Sequence, residues 1–128
     1  MRKIILSSLF LTLVSCGASI TSNFTTRLQP ISMEQKVVIL DIKHIVPLTA
    51  KKIGYASFGD TGFSTNCDYN SNLASAREIA SKNGANLVKV TEKKEPSFFG
   101  STCYRIKVDF YSYEGDVNQL NQYQIQIN

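Results

Sequence analysis

In residues 72–90, NLASAREIASKNGANLVKV, the spacing of the hydrophobic residues changes partway along. This change predicts a helix that is followed by a strand. In the first half, a stripe recurs at three- and four-residue spacing, which is typical of one face of a helix. Its members are Leu73, Ala76, Ile79, Ala80 and Asn83. One of the polar residues at 70–72 is expected to cap the helix start, and Gly84 to end the helix in the left-handed conformation. The narrow stripe predicts a helix that covers one side of a sheet.

Four strands are predicted around this helix. Residues 36–46 are dense in β-branched side chains and stop before Pro47, and a second strand follows in residues 51–58. After the helix come a strand at 87–90 and another at 103–113, CYRIKVDFYSY, which has the clearest alternation in the chain. The sequence therefore predicts an α+β fold of order β-β-α-β-β, with a small antiparallel or mixed sheet of about four strands covered on one face by a single helix.

The first residues have the layout of a secretory signal. A positive start at Arg2 and Lys3 precedes an apolar run at 4–14, too short for a bilayer span of about 20 residues. The run ends in LVSC, residues 13–16, which resembles the bacterial lipobox, where cleavage precedes a cysteine that carries a diacylglycerol. We expect a signal peptide at 1–15 and a membrane anchor at Cys16. An ordinary cleaved signal and a buried apolar segment are the alternatives.

Composition divides the rest of the chain into three parts. Residues 16–33 begin with the lipidated cysteine and are rich in Ser and Thr. They are expected to form a flexible tether, because they have few apolar residues to offset their ordering entropy. Residues 34–113 are expected to form one α+β domain. Residues 114–128 are an Asn- and Gln-rich tail, for which a weak strand and disorder are both open.

Cys67 and Cys103 remain once Cys16 is assigned to lipid. In an oxidising compartment an even pair predicts a disulfide, although free thiols in a metal or redox site are the alternative. A loop of about 37 residues corresponds to about 3.8 kcal/mol in the chain-entropy account. The net charge of +4 falls when Arg2 and Lys3 leave with the signal, and we expect no nucleic-acid partner.

Residues 67–110 resemble the C-terminal domain of the RcsF-type envelope-stress lipoproteins. The resemblance lies in the cysteine before the helix, the alanines Ala76 and Ala80, the GAN turn at 84–86 and the CYR motif at 103–105. In that family the two cysteines are disulfide-linked, which implies a bridge between Cys67 and Cys103. The second disulfide and the long proline-rich tether of that family have no counterpart in this sequence. The resemblance therefore implies the fold and the bridge more strongly than the signalling role.

No catalytic motif is found in the sequence. It has no Gly-x-Ser-x-Gly elbow, phosphate loop or dinucleotide fingerprint, and its acidic residues are scattered. We expect no enzymatic activity, no cofactor and no metal. The single histidine, His44, is expected to be a surface or edge residue, since no group of ligand-type residues surrounds it.

Phe98, Phe99 and Arg105 are the candidate interaction residues. The two phenylalanines are predicted either to cover the disulfide as a satellite core or to form an exposed partner patch. Arg105 belongs to a basic set that is either a solvated face or a surface for acidic lipid headgroups or a negatively charged envelope polymer. The other members of the basic set are Lys89, Lys93, Lys94 and Lys107.

We therefore expect a lipid-anchored cell-envelope protein that acts through protein–protein interaction with an envelope partner, in stress sensing or assembly. Residues 17–22, GASITS, lack an Asp next to Cys16 and lack an acidic run, so the expected location is the outer membrane, facing the periplasm. The alternative function is a periplasmic module that binds a small ligand or a metal through His44 or the Phe98–Phe99 loop.

Overall fold

The computed structural model describes residues 19–32, 36–59, 67–97, 100 and 103–126. The lipidation candidate Cys16 and the candidate interaction residues Phe98 and Phe99 lie outside the described residues. The elements are strands β1 (Ser19–Phe24), β2 (Val38–Leu40) and β3 (Lys51–Gly59), helix α1 (Tyr69–Lys82), strands β4 (Leu87–Lys94) and β5 (Arg105–Ser112), and a 3-10 helix (Val117–Gln119).

The strands form one mixed sheet of order β1-β3-β5-β4-β2. The first four strands in this order, β1, β3, β5 and β4, pair antiparallel with one another, and β2 pairs parallel to β4 at the far edge. The α+β class is confirmed, with one α-helix in the described part of the chain. The order is β-β-β-α-β-β, so the sheet has one strand more than the sequence predicts.

The fifth strand is β1, and it lies in the segment that the sequence assigns to a flexible tether. Every residue from Ser19 to Phe24 pairs with β3. The ring of Phe24 stacks on Phe110 with centroids 5.0 Å apart. Gly54 allows this approach, because a Cβ there would lie 2.6 Å from the Phe24 ring. Pairing with an open sheet edge orders a segment whose own apolar content is low.

Strand β2 is shorter than predicted. Its three residues are buried, but the chain leaves the sheet at Asp41, so the predicted strand at 36–46 is mostly wrong. On the outer side of β2, the Tyr123 N–H donates to the Ile39 carbonyl oxygen at 2.8 Å. The tail thus covers part of this edge with a single antiparallel bridge.

Helix α1 covers one face of the sheet with the stripe that the sequence predicts. Leu73, Ala76 and Ala80 are fully buried, and the alanines leave room for β-sheet side chains such as Phe110. The cap is not one of residues 70–72, because the Asp68 side chain accepts the Ser71 N–H at 2.6 Å. Gly84 has the expected positive φ of 80° just after the helix.

On the opposite face of the sheet, the described residues cover β2 and the adjoining end of β4. A second cluster there contains Val38, Leu40, Leu87 and Val117, with Tyr111 packed against it. Val117 belongs to the 3-10 helix, so the tail contributes to this cluster. The remainder of this face carries polar and charged side chains of β3, β4 and β5.

The disulfide between Cys67 and Cys103 is confirmed. Its Cα atoms are 5.0 Å apart, and it links the residue before the helix cap to the approach to β5 across a sequence separation of 36. The Tyr104 N–H also donates to the Cys67 carbonyl oxygen at 3.0 Å. Within the described ranges, no helix is long and apolar enough to cross a membrane.

Candidate functional site

Four strand ends meet at one end of the sheet. In the register, Ser19 pairs with Gly59, Ser57 pairs with Lys107 and Lys94 pairs with Arg105. The start of β1, the end of β3, the end of β4 and the start of β5 therefore lie side by side. Residues that are far apart in sequence share this end of the sheet.

A cavity of about 200 Å³ lies at this end, and we name it the basic pocket. Its lining consists of Ser57, Phe58, Gly59, Glu92, Lys94, Arg105, Ile106 and Lys107. Three of these side chains are cationic and one is a carboxylate, so the lining has a net charge of +2. A concave surface with convergent charges of one sign attracts ligands of the other sign.

Glu92 lies between the two lysines of the basic pocket. Its Oε1 is 3.3 Å from Lys94 Nζ, and its Oε2 is 3.2 Å from Lys107 Nζ. Hydrogen bonds from Lys107 and Lys94 lower the pKa of Glu92, which keeps it ionised. Such exposed ion pairs contribute little to stability, but these two hold the lysines beside the pocket.

Arg105 is the pocket residue with an unmet bonding requirement. The side chain is half-buried, and its Nε is buried with no hydrogen-bond partner among the described residues. Buried polar groups in proteins are nearly always paired, so an unpaired guanidinium nitrogen calls for an explanation. Arg105 is also the candidate interaction residue whose position the structure describes.

The predicted basic set divides between the two faces of the sheet. A bulge between Val90 and Glu92 shifts the register of β4. Lys93 consequently pairs with Ile106 and places its Nζ 4.1 Å from the centroid of the Tyr69 ring, a cation–π contact. Only Lys94, Arg105 and Lys107 of the predicted set line the basic pocket.

Lys89, the remaining member of the set, holds a loop. Its Nζ donates to the carbonyl oxygens of Asp41 at 2.6 Å, Ile42 at 2.9 Å and His44 at 2.5 Å. An ammonium group has three donors, and here all three have acceptors. The backbone of residues 41–44 is therefore held in one conformation.

His44 and Asp41 complete the same turn. The Asp41 N–H donates to His44 Nδ1 at 2.9 Å, so this nitrogen is engaged as an acceptor. His44 is half-buried, and the described residues contain no group of three or more His, Cys, Asp or Glu that could hold a metal ion. The geometry therefore gives His44 a role in the loop turn.

Asp41 also connects the loop to the helix. Its Oδ1 accepts the Tyr69 hydroxyl at 2.5 Å. Burial alone would raise the pKa of Asp41, but the Tyr69 hydrogen bond, the Ile42 N–H and the positive charge of Lys93 lower it overall. Burial, together with the hydrogen bond to Asp41, raises the pKa of Tyr69. The phenol thus stays protonated and acts as a donor, not as a base.

The loop at residues 41–50, named here the apolar loop, exposes three aliphatic side chains. Ile42 is 52% exposed, Ile45 is 87% exposed and Leu48 is fully exposed. The sequence does not predict this surface, because the β-branched side chains in residues 36–46 indicate a strand. Two features of the sequence argue against a strand here: Pro47, and the loss of strict alternation between apolar and polar residues after Leu40.

No protein-family model, curated protein or solved structure matches this chain. The resemblance to the RcsF-type lipoproteins therefore stays a prediction.

Proposed function

We propose that this protein is a lipid-anchored component of the cell envelope that acts by binding a partner protein through the apolar loop. The lipobox-like LVSC at 13–16 supports the anchor, and the Cys67–Cys103 bridge supports an oxidising compartment. A role in stress sensing or in assembly, and an outer-membrane location facing the periplasm, belong to the same proposal. The disulfide and the RcsF-type resemblance support this role jointly.

The observation that carries the proposal is the exposure of Ile42, Ile45 and Leu48 on a loop whose backbone is held in place. Single exposed aliphatic residues are common on protein surfaces, but three within seven residues of one loop concentrate apolar surface that binding to an apolar groove would bury. The three hydrogen bonds of Lys89 order the first part of the loop, residues 41–44, before binding, which lowers the entropy cost of association. Lys43, also exposed, favours a groove with an acidic rim.

Partner binding is tested with the full chain expressed in its own membrane. A photo-crosslinking amino acid at Ile45 is expected to capture one discrete envelope protein, and Leu48→Asp is expected to abolish the capture, because a carboxylate in an apolar interface loses its hydration. Thr49→Asp, which adds the same charge beside Leu48 and keeps Ile42, Ile45 and Leu48, is the matched control and is expected to retain most of the capture. No crosslink, or equal loss with both variants, contradicts the proposal.

The anchor is tested by the intact mass of the protein purified from membranes. A lipid-modified Cys16 as the first residue is expected, with a mass that also includes the two-hydrogen loss of the disulfide. A chain that retains residues 1–15, or that starts elsewhere without acyl chains, would remove the anchor from the proposal.

The basic pocket supports a second candidate function, the binding of a small anionic ligand. Arg105, Lys94 and Lys107 converge on one cavity, as a site for a single negatively charged group requires.

A further inference from the structure

We propose that the basic pocket binds a phosphate group, and that this phosphate belongs to the headgroup of an anionic phospholipid in the membrane that holds the protein. The phosphate chemistry follows from the pocket alone. Its assignment to a headgroup rests on the proposed lipid anchor at Cys16.

Arg105 supplies the first part of the argument. Arg105 lines the pocket and its buried Nε has no partner among the described residues, so a small rotation of the side chain would bring this donor to an acceptor in the cavity. A guanidinium presents its N–H groups in a planar fork, and this fork matches two oxygens of a phosphate. The requirement for an acceptor and the shape of the donor thus indicate the same ligand group.

Lys94 and Lys107 supply the second part. Both line the pocket beside Arg105, and both form an ion pair with the single carboxylate of Glu92. One carboxylate leaves the net charge of the lining at +2, so charge remains to be neutralised. The volume of about 200 Å³ exceeds the space of several waters but is smaller than the usual pocket for a drug-sized molecule. A phosphate and its nearest ester atoms suit a cavity of this size.

The position of the pocket favours a membrane source. Cys16 precedes the start of β1 by three residues, which span at most about 10 Å when fully extended. Ser19 pairs with Gly59, and Gly59 lines the pocket. A diacylglycerol on Cys16 would therefore hold this end of the sheet at the headgroup layer.

The phosphate site is tested by NMR on the full mature protein in detergent. Addition of inorganic phosphate is expected to shift the Nε–H signal of Arg105 and the backbone amides of Ser57 and Lys107. Arg105→Gln is expected to weaken the affinity, measured from the Ser57 amide, by about tenfold or more. Lys51→Gln removes the same charge from an exposed residue at the opposite end of β3, and it is expected to change the affinity less than twofold.

Lys107→Gln provides a second variant, because this exposed side chain is separate from the core. It is expected to weaken phosphate binding severalfold with an otherwise unchanged spectrum. No saturable shift, equal weakening by Lys51→Gln, or shifts spread evenly over all lysines would overturn the phosphate site.

The source of the phosphate is tested in nanodiscs that differ only in lipid. The lipidated protein is expected to show the shifted Arg105 signal in phosphatidylglycerol discs and the unshifted signal in discs of digalactosyldiacylglycerol, which has no phosphate. A response to inorganic phosphate without one to phosphatidylglycerol overturns the headgroup assignment and leaves a site for free phosphate. If the intact mass shows that Cys16 carries no lipid while the protein still responds to inorganic phosphate, the proposed anchor is contradicted and the phosphate site is not.

Discussion

At the scale of single residues, Lys89 has a role that its charge alone did not indicate. It lies among the residues that the sequence groups as a basic surface, yet its ammonium binds three backbone carbonyl oxygens of the apolar loop. The spacing between Lys89 and these acceptors is 45 to 48 residues. No local pattern reveals such a contact, so the sequence alone does not distinguish Lys89 from its solvated neighbours.

Replacement of Lys89 by Met is expected to lower the free energy of unfolding by about 2 kcal/mol, because three carbonyl groups lose a charged donor. Urea denaturation measures this loss, and amide hydrogen exchange is expected to accelerate at residues 41–44. Lys51→Met, on an exposed side chain of β3, serves as the control and is expected to stay within about 0.5 kcal/mol of the wild type. Equal effects of the two substitutions would contradict the role of Lys89.

Asp41 makes stability depend on pH in the acidic range. Its pKa is lowered in the folded protein, so its contribution is present above the ordinary value of 3.8 and is lost as the pH falls through the lower folded pKa. We expect the free energy of unfolding to fall as the pH is lowered from 5 to 3. Urea titrations at several pH values measure this dependence, and Asp41→Asn is expected to reduce its slope. An unchanged slope in that variant would assign the acid sensitivity to other carboxylates.

At the scale of elements, helix α1 and strand β5 could be predicted because each carries its own periodicity. The buried residues of the helix recur at the predicted spacing, and β5 alternates buried Ile106, Val108 and Phe110 with less buried residues. Strand β1 could not be predicted in this way. It lies at a sheet edge, and its backbone hydrogen bonds to β3 and the stacking of Phe24 on Phe110 order it.

The turn after α1 allows a direct test at this scale. Gly84 has a φ of 80°, and a Cβ there would lie 2.5 Å from Leu28 Cβ, in the segment that follows β1. Gly84→Ala is therefore expected to destabilise the protein by about 1–2 kcal/mol, through both backbone strain and steric overlap. Thermal or urea unfolding measures the loss. Ser75→Ala, within the helix and without a change of backbone region, is the comparison and is expected to be close to neutral. A neutral Gly84→Ala would contradict the close approach of the two segments.

At the scale of the whole molecule, the Cys67–Cys103 bridge links the helix start to the central strand β5 of the sheet. It closes a long loop and so restricts the unfolded chain. The double substitution Cys67→Ala and Cys103→Ala is expected to lower the free energy of unfolding by about 3–4 kcal/mol. Urea denaturation of the oxidised protein, the reduced protein and the double variant measures the effect. The reduced protein and the variant are expected to agree, and a loss below about 1 kcal/mol would show that the sheet is sufficient alone.

The sequence by itself determined the α+β class, the helix and its glycine stop, the alternating strand β5 and the pairing of the two cysteines. These features depend on local periodicity and on residue types whose chemistry is specific. Only the tertiary structure decided that residues 19–24 form a strand, that residues 41–50 expose their aliphatic side chains, and that three cations converge on one cavity. The physical reason is that strand order and register bring together residues far apart in the chain, and a bulge in β4 then selects which lysines face the same side.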